Sequence, residues 1–308
     1  MSKLLEYPMI KIQYAARKEN GKEYVICPGS YKSELTNPND YALKETAEGV
    51  LSIDSIKCCR CLLCKIIEPN LINIDSNNNL SISEISEERF NLSNDIKNSF
   101  STEFISRLTE YNEEPGLNKW LYILFKEFGF QKVYYESTLL KEDLTDSEVI
   151  DFFNINLSTE TAKDQATGQR GTIRADVEII DKNDLIVIEG KKKNRIESKD
   201  VGFAEPLGQL AAYRTHKVFN DYTQKNQYFV LSYDGAFTFS WKQIKARLSK
   251  DQINKMEELF NEESGCRLSI VPVSLFYKEA LRAVETGKKS KDRLIKTIKE
   301  NIILWKSL

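Results

Sequence analysis

Residues 172–191 constrain this chain more than any other stretch. Thr172-Ile173-Arg174-Ala175-Asp176 opens a strand-like run that continues to Ile180. Asp181-Lys182-Asn183-Asp184 has the composition of a turn, and Leu185-Ile186-Val187-Ile188 then leads into Glu189-Gly190-Lys191. Four such turn residues between two apolar runs predict an antiparallel hairpin. If Ile180 faces Leu185, the pairing sets Asp176 opposite Glu189, and strand alternation puts Lys191 on the face of Glu189. Two carboxylates that close repel unless a cation lies between them, which implies a hard divalent ion such as Mg²⁺ or Mn²⁺. Such an ion polarises a phosphate oxygen and lowers the pKa of a bound water. Lys191 is placed to orient or deprotonate that water and to offset the charge developing on phosphorus. The carbonyl of Gly190 is a further candidate ligand for the ion. Together these residues predict metal-dependent phosphodiester hydrolysis.

The rest of the composition narrows the alternatives. A single histidine, His216, nearly excludes catalysis by paired histidines, and it has no visible partner for a Ser-His-Asp arrangement. It reads as a surface or packing residue. No stretch approaches the length of an apolar membrane span, and the first residues lack the apolar core of a signal peptide. The expected location is therefore the cytoplasm, with no membrane partner. The net charge of −2 hides an asymmetry: residues 1–188 hold 21 Lys/Arg against 31 Asp/Glu, and residues 189–308 hold 23 against 15. A basic second part suits a polyanionic partner, although solvated helix faces would give the same count.

Cysteine usage divides the chain. Cys27, Cys58, Cys59, Cys61 and Cys64 all fall in the first 64 residues, and Cys266 stands alone as a small buried hydrophobe. The polar stretch from Asp75 to Glu88 reads as a linker. The expected organisation is a Cys-rich metal-cluster module over 1–80, a linker over 81–95 and a second domain over 96–308. Helical patterning covers 96–111 and 117–128, Gly129 ends the second of these, and 132–136 reads as a strand. A polar, irregular segment follows over 137–171, with a helical patch near 148–153. Strands over 172–180 and 185–191, a helix over 204–219 and a strand over 227–233 complete the core. From about residue 242 the chain reads as mostly helical.

The carboxylates and lysine, in this element order, resemble the PD-(D/E)xK nuclease superfamily. The resemblance implies an α/β, restriction-endonuclease-like core, a mixed four-stranded sheet flanked by helices, with a helical C-terminal extension. It makes Asp176 the first acid, Glu189 the second and Lys191 the lysine, with Ala175 standing where the family name has proline. The helix over Gly208-Gln209-Leu210-Ala211-Ala212-Tyr213 is similar to the Gln-xxx-Tyr motif of the RecB-like branch. Gln209 and Tyr213 lie one turn apart on one face, where they could reach DNA or brace the lysine. Lys192 and Lys193 join Tyr213 as substrate-binding candidates. The helix after Glu114 resembles one that supplies an additional acid in restriction subunits; Glu114 is the candidate, with Glu113 and Glu127 as rivals.

Cys58-x-x-Cys61-x-x-Cys64, preceded by Gly49-Val50-Leu51-Ser52-Ile53-Asp54, and a remote Cys27-Pro28 resemble bacterial ferredoxins. That resemblance implies a small α+β module whose Cys27, Cys58, Cys61 and Cys64 hold one [4Fe–4S] cluster. The alternative is a structural Zn²⁺ on four of the five thiolates. Cys59 is out of register and reads as a spare thiol or a substitute ligand. The resulting expectation is a DNA-directed nuclease with a restriction or defence role. The alternatives are a repair or recombination nuclease, or an inert, redox-responsive DNA-binding protein. A homodimer and a redox partner complete the partners considered.

Overall fold

The computed structural model of the chain describes residues 15–19, 22–25, 42–45, 51–67, 69, 72–74, 79–82, 92–110, 114–155, 157–159, 171–197, 202–222, 224, 226–261 and 263–305. They belong to two compact units. One comprises 1–129 with 274–291, the other 130–273 with 292–308. Both units use two segments of chain. The division at 129 also differs from the expected linker at 81–95, because the helices over 94–127 belong with the first unit.

In the first unit, three two-stranded antiparallel sheets are described. They are β1 (Ala15–Glu19) with β2 (Lys22–Val25), β3 (Leu43–Glu45) with β4 (Leu51–Ile53), and β5 (Ile72–Ile74) with β6 (Leu80–Ile82). The short helix α1 (Leu63–Ile67) lies between β4 and β5 in the chain, and α2 (Asn94–Glu110) and α3 (Glu114–Glu127) follow β6. Phe104, Trp120 and Tyr277 are fully buried together, with Phe104 stacked on Tyr277 at 4.3 Å between ring centroids. Each such buried aromatic contributes roughly 1.5–3 kcal/mol of transfer free energy.

The second unit is α/β. Its mixed sheet runs in the order β12-β11-β10-β9-β7 and is flanked by helices. In chain order its elements are β7 (Lys132–Leu140), α4 (Glu148–Phe152), β8 (Ser158–Thr159), β9 (Gly171–Ile180) and β10 (Asp184–Lys191). There follow α5 (Lys193–Glu197), α6 (Ala204–Thr215), α7 (Lys217–Asn220), β11 (Asn226–Tyr233), α8 (Trp241–Lys245), α9 (Lys250–Leu259) and β12 (Cys266–Pro272). Helix α10 (Val273–Thr286) then begins in this unit and runs in the first, and α11 (Lys291–Lys299) returns to the second. The hairpin forms as its sequence predicts: Leu185 pairs with Ile180, and Asp181 N donates to Asp184 O at 2.9 Å across the turn. β10 is buried along nearly its whole length, as its continuous apolar run requires of a central strand. It pairs in parallel with β11 on its other side. The connection between them carries α6, whose Leu207, Leu210, Ala211 and Ala212 are fully buried. Gly208 permits the close packing of α6, since a Cβ there would come within 2.3 Å of the Phe153 Cβ.

Two expectations are corrected. The C-terminal region is not only helical, because Cys266–Pro272 forms a fifth main strand parallel to β11. That segment alternates apolar Cys266, Leu268 and Ile270 with polar Arg267 and Ser269, carries β-branched Ile270 and Val271, follows Gly265 at φ +69° and ends on Pro272. It is too short for a core helix and has strand propensity. The helix expected over 204–219 also breaks at His216, whose ψ of 134° is extended. The His216 ring is buried: Nδ1 accepts from Val218 N at 3.2 Å, and Nε2 lies 3.2 Å from Leu140 O as the donor. Burial holds the imidazole below its ordinary pKa, so it is a neutral packing residue.

Candidate active site

The hairpin register carries Asp176 and Glu189 to the same end of the sheet. The ladder runs from Leu185–Ile180 to Ile188–Val177, and the next step sets Glu189 across from Asp176. Asp176 Oδ2 accepts from Gly190 N at 2.8 Å, which fixes the first carboxylate against the backbone of the second strand. Glu189 and Lys191 project from the same face of β10. Glu189 is 1% exposed and Lys191 5%. Lys191 Nζ sits 2.6 Å from Glu189 Oε1, a buried ion pair. Such a pair is held by geometry and additional hydrogen bonds, because each charge alone would be costly to desolvate.

Tyr213 provides that support. Its hydroxyl lies 2.7 Å from Glu189 Oε2 and 2.5 Å from the carbonyl of Arg174, sharing one proton between two acceptors. Burial, then the charges of Glu189 and Asp176, push its phenol well above the usual range, so it stays a donor. Gln209 stands one turn earlier on α6, and its Oε1 is buried without a hydrogen-bond partner among the described residues. Asp176, Glu189, Gly190, Lys191 and Tyr213 are thus gathered in one place.

Lys192 is buried and Lys193 half-exposed. Lys193 Nζ lies 3.6 Å from Glu197 Oε1 on α5. Glu114 opens α3 in the first unit, with its side chain outside the described residues, as is Glu113. The rival Glu127 is ion-paired with Lys289 at 2.9 Å. Sequence reasoning missed two acids that do lie in the second unit. Glu136 stands across from Asp176 between the pairs Tyr135–Val177 and Ser137–Ala175. It has a positive φ of 54° and pairs with Arg174 at 3.5 Å. Asp234, just past β11, is buried and accepts from Lys193 N. Burial raises its carboxyl to about 6, against the opposing pull of Lys192 and Lys193. Neither acid belongs to a spacing motif, so only the third strand pairing and the chain reversal after β11 reveal them.

Comparison with protein-family models, with curated proteins and with solved structures gave no match for this chain. The chemistry of the site therefore rests on its own geometry. Among the described residues, no group of three or more His, Cys, Asp or Glu side chains is placed to hold a metal ion. The hard oxygens of Asp176, Glu189 and the Gly190 carbonyl, with the orphaned Gln209 Oε1 one turn from Tyr213, are the donor chemistry that Mg²⁺ or Mn²⁺ prefers.

The thiol-rich loop lies in the first unit. Asp54 caps its turn, accepting from Ile56 N at 3.0 Å and Lys57 N at 3.3 Å. Arg60 N donates to Cys58 Sγ at 3.4 Å, and Arg60 and Leu62 adopt left-handed φ values of 56° and 64°. Cys59 and Cys61 are buried, with Cys58 and Cys64 partly so. The Cys61 thiol is pushed well above its usual pKa, first by its hydrogen bond with Cys59 and then by burial. Cys59, out of register in the sequence, is thus the neighbour of Cys61, and Cys27 lies outside the described residues. Soft thiols suit iron or zinc, and among the described residues no three of them are gathered into one ligand set.

Proposed function

We propose that the chain is a divalent-metal-dependent deoxyribonuclease of the PD-(D/E)xK, RecB-like type, with a restriction-endonuclease-like core and a restriction or defence role. The observation that carries this reading is the buried grouping of Asp176, Glu189 and Lys191, with Tyr213 from α6 holding Glu189 from behind. The sheet order and the helix between its two parallel strands support the same assignment. Mg²⁺, when bound, supplies Lewis-acid polarisation of a phosphate oxygen and offsets the charge that builds up there. Asp176 and Glu189 hold their carboxylates at fixed positions, one through the Gly190 amide and one through Tyr213. Lys191 presents its ammonium beside Glu189, where it can orient an attacking water and offset the negative charge that develops as the water attacks. Lys192 and Lys193 add positive charge for a polyanionic backbone.

Asp176→Asn is the discriminating variant. The amide oxygen can still accept from Gly190 N–H, so the fold persists while the negative charge is lost. DNA cleavage with Mg²⁺ or Mn²⁺ is expected to fall by about 10²-fold or more, with little change in thermal midpoint. If the wild-type chain leaves linear, circular and branched DNA intact with either ion, the nuclease reading is wrong.

A further inference from the structure

The loop after β11 is fixed at both ends and yet presents an aromatic ring to solvent. Strands β10 and β11 are parallel, with Lys191 paired to Tyr233, so this loop leaves the sheet at the end where Lys191, Lys192 and Lys193 stand. Asp234 N donates to Lys191 O at 3.4 Å, and Asp234 Oδ1 accepts from Lys193 N, which ties the loop to the lysine run. Gly235 N bonds to Tyr233 O at 2.8 Å, and a Cβ on Gly235 would lie 2.6 Å from the Tyr233 ring. The Tyr233 hydroxyl then donates to Phe237 O at 2.5 Å and accepts from Phe239 N at 3.2 Å. The Phe239 ring packs between Tyr233 and Phe203, at 5.0 and 5.1 Å between centroids. Ser240 ends the loop by capping α8 with a capping box. Tyr233, Asp234, Gly235, Phe239 and Ser240 are therefore held, and Phe237 itself is 84% exposed.

The bond from the Tyr233 hydroxyl to the Phe237 carbonyl holds the backbone at this residue while its ring faces water. Basic residues stand at both ends of the loop: half-exposed Lys193, whose N–H bonds Asp234 and whose Nζ is 3.6 Å from Glu197, and Lys242 and Lys245 on the helix that follows. An exposed aromatic face on a loop with basic residues at both ends, at the sheet end that carries Lys191, matches the requirements for holding unpaired nucleic acid. Bases stack on an aromatic face regardless of sequence, while lysines follow the phosphates.

We propose that Phe237 is a stacking platform for an unpaired base, making single-stranded or locally opened nucleic acid the substrate class of this site. This rests on the nuclease reading above. The ring is nearly free of protein contacts, so Phe237→Ala leaves the fold intact. The test is binding by the full chain, in EDTA to prevent cleavage, of a short oligodeoxynucleotide containing 2-aminopurine and of its duplex. Phe237→Ala is expected to weaken single-strand binding by about 5- to 100-fold and to abolish the change in 2-aminopurine fluorescence. Phe237→Trp is expected to restore binding, with its indole emission quenched by the single strand. Duplex binding should move by no more than about 2-fold, because it relies on phosphate contacts. Unchanged single-strand affinity in Phe237→Ala overturns the platform while leaving the nuclease reading intact, provided the wild type cuts. If the wild type binds neither single strand nor duplex and cuts nothing, both fall.

Discussion

The carboxylate–lysine site and the thiol loop are built in opposite ways. Asp176, Glu189 and Lys191 sit on neighbouring strands, so the ladder that pairs Leu185 with Ile180 also sets their spacing. Once the turn at 181–184 is recognised, the side-chain directions follow from strand alternation. Cys58, Cys59 and Cys61 sit on a loop whose direction depends on left-handed residues at Arg60 and Leu62. Neither is glycine, and that conformation is uncommon for such side chains. A Cys-x-x-Cys-x-x-Cys spacing therefore carries less geometric information than an Asp and a Glu-x-Lys on paired strands.

The largest effect expected from breaking the first region is on stability. Glu189→Ala removes the carboxylate 2.6 Å from the buried Lys191 ammonium and an acceptor of the Tyr213 hydroxyl. It should cost about 3–5 kcal/mol, the loss typical of removing one member of a buried ion pair. Urea denaturation of the variant beside Asp176→Asn measures this. A loss below about 1 kcal/mol for Glu189→Ala would mean that the ion pair is solvated and the site more open than its burial implies.

Asp234 tests the same end of the sheet through pH. Its carboxyl is raised to about 6 in the folded chain from an ordinary 3.8. The group therefore adds stability that is fully present below about pH 3.8 and lost as pH rises through about 6. Asp234→Asn keeps an acceptor for Lys193 N and removes the titration. Wild type should lose about 1–3 kcal/mol relative to the variant between pH 4 and pH 7. Parallel stability curves for the two proteins would show that Lys192 and Lys193 keep Asp234 ionised throughout.

The legible parts of the molecule share one property. The hairpin, the helix with Gln209 and Tyr213, and β11 were readable because regular elements repeat their side-chain directions. The role of Tyr213 was only half readable: helical spacing put it beside Gln209, but its bond to Glu189 required the packing of α6 on the sheet. That packing depends on Gly208, whose missing Cβ admits Phe153. β12 is marked only briefly, by the alternation of Cys266, Leu268 and Ile270 with Arg267 and Ser269 between two longer helical stretches, and its pairing with β11 makes it a strand. Asp234 and Phe237 were missed because a loop residue has no period. Their placement comes from hydrogen bonds to Tyr233 and Lys193 that no local pattern encodes.

The smallest expected change in stability belongs to the thiol loop, and it decides what that loop is for. Cys61 is buried beside Cys59, with its carbonyl accepting from Trp120 Nε1 at 3.1 Å. In a metal-free chain, Cys61→Ser replaces a thiol by a hydroxyl in the same pocket and should cost about 1 kcal/mol. If the loop supplies thiolates to a metal, the same change removes a ligand, and metal binding is coupled to folding of the loop. In that case purified wild type contains iron, visible as a brown colour, or zinc, and Cys61→Ser contains neither. Cys266→Ser, which alters a buried thiol 3.3 Å from Gln227 Oε1 in the other unit, should leave the metal content unchanged. A wild-type chain that takes up neither iron nor zinc under reducing, anaerobic conditions would make Cys59 and Cys61 packing residues. The loop would then be a buried turn, with the chemistry of the chain confined to the strands of the second unit.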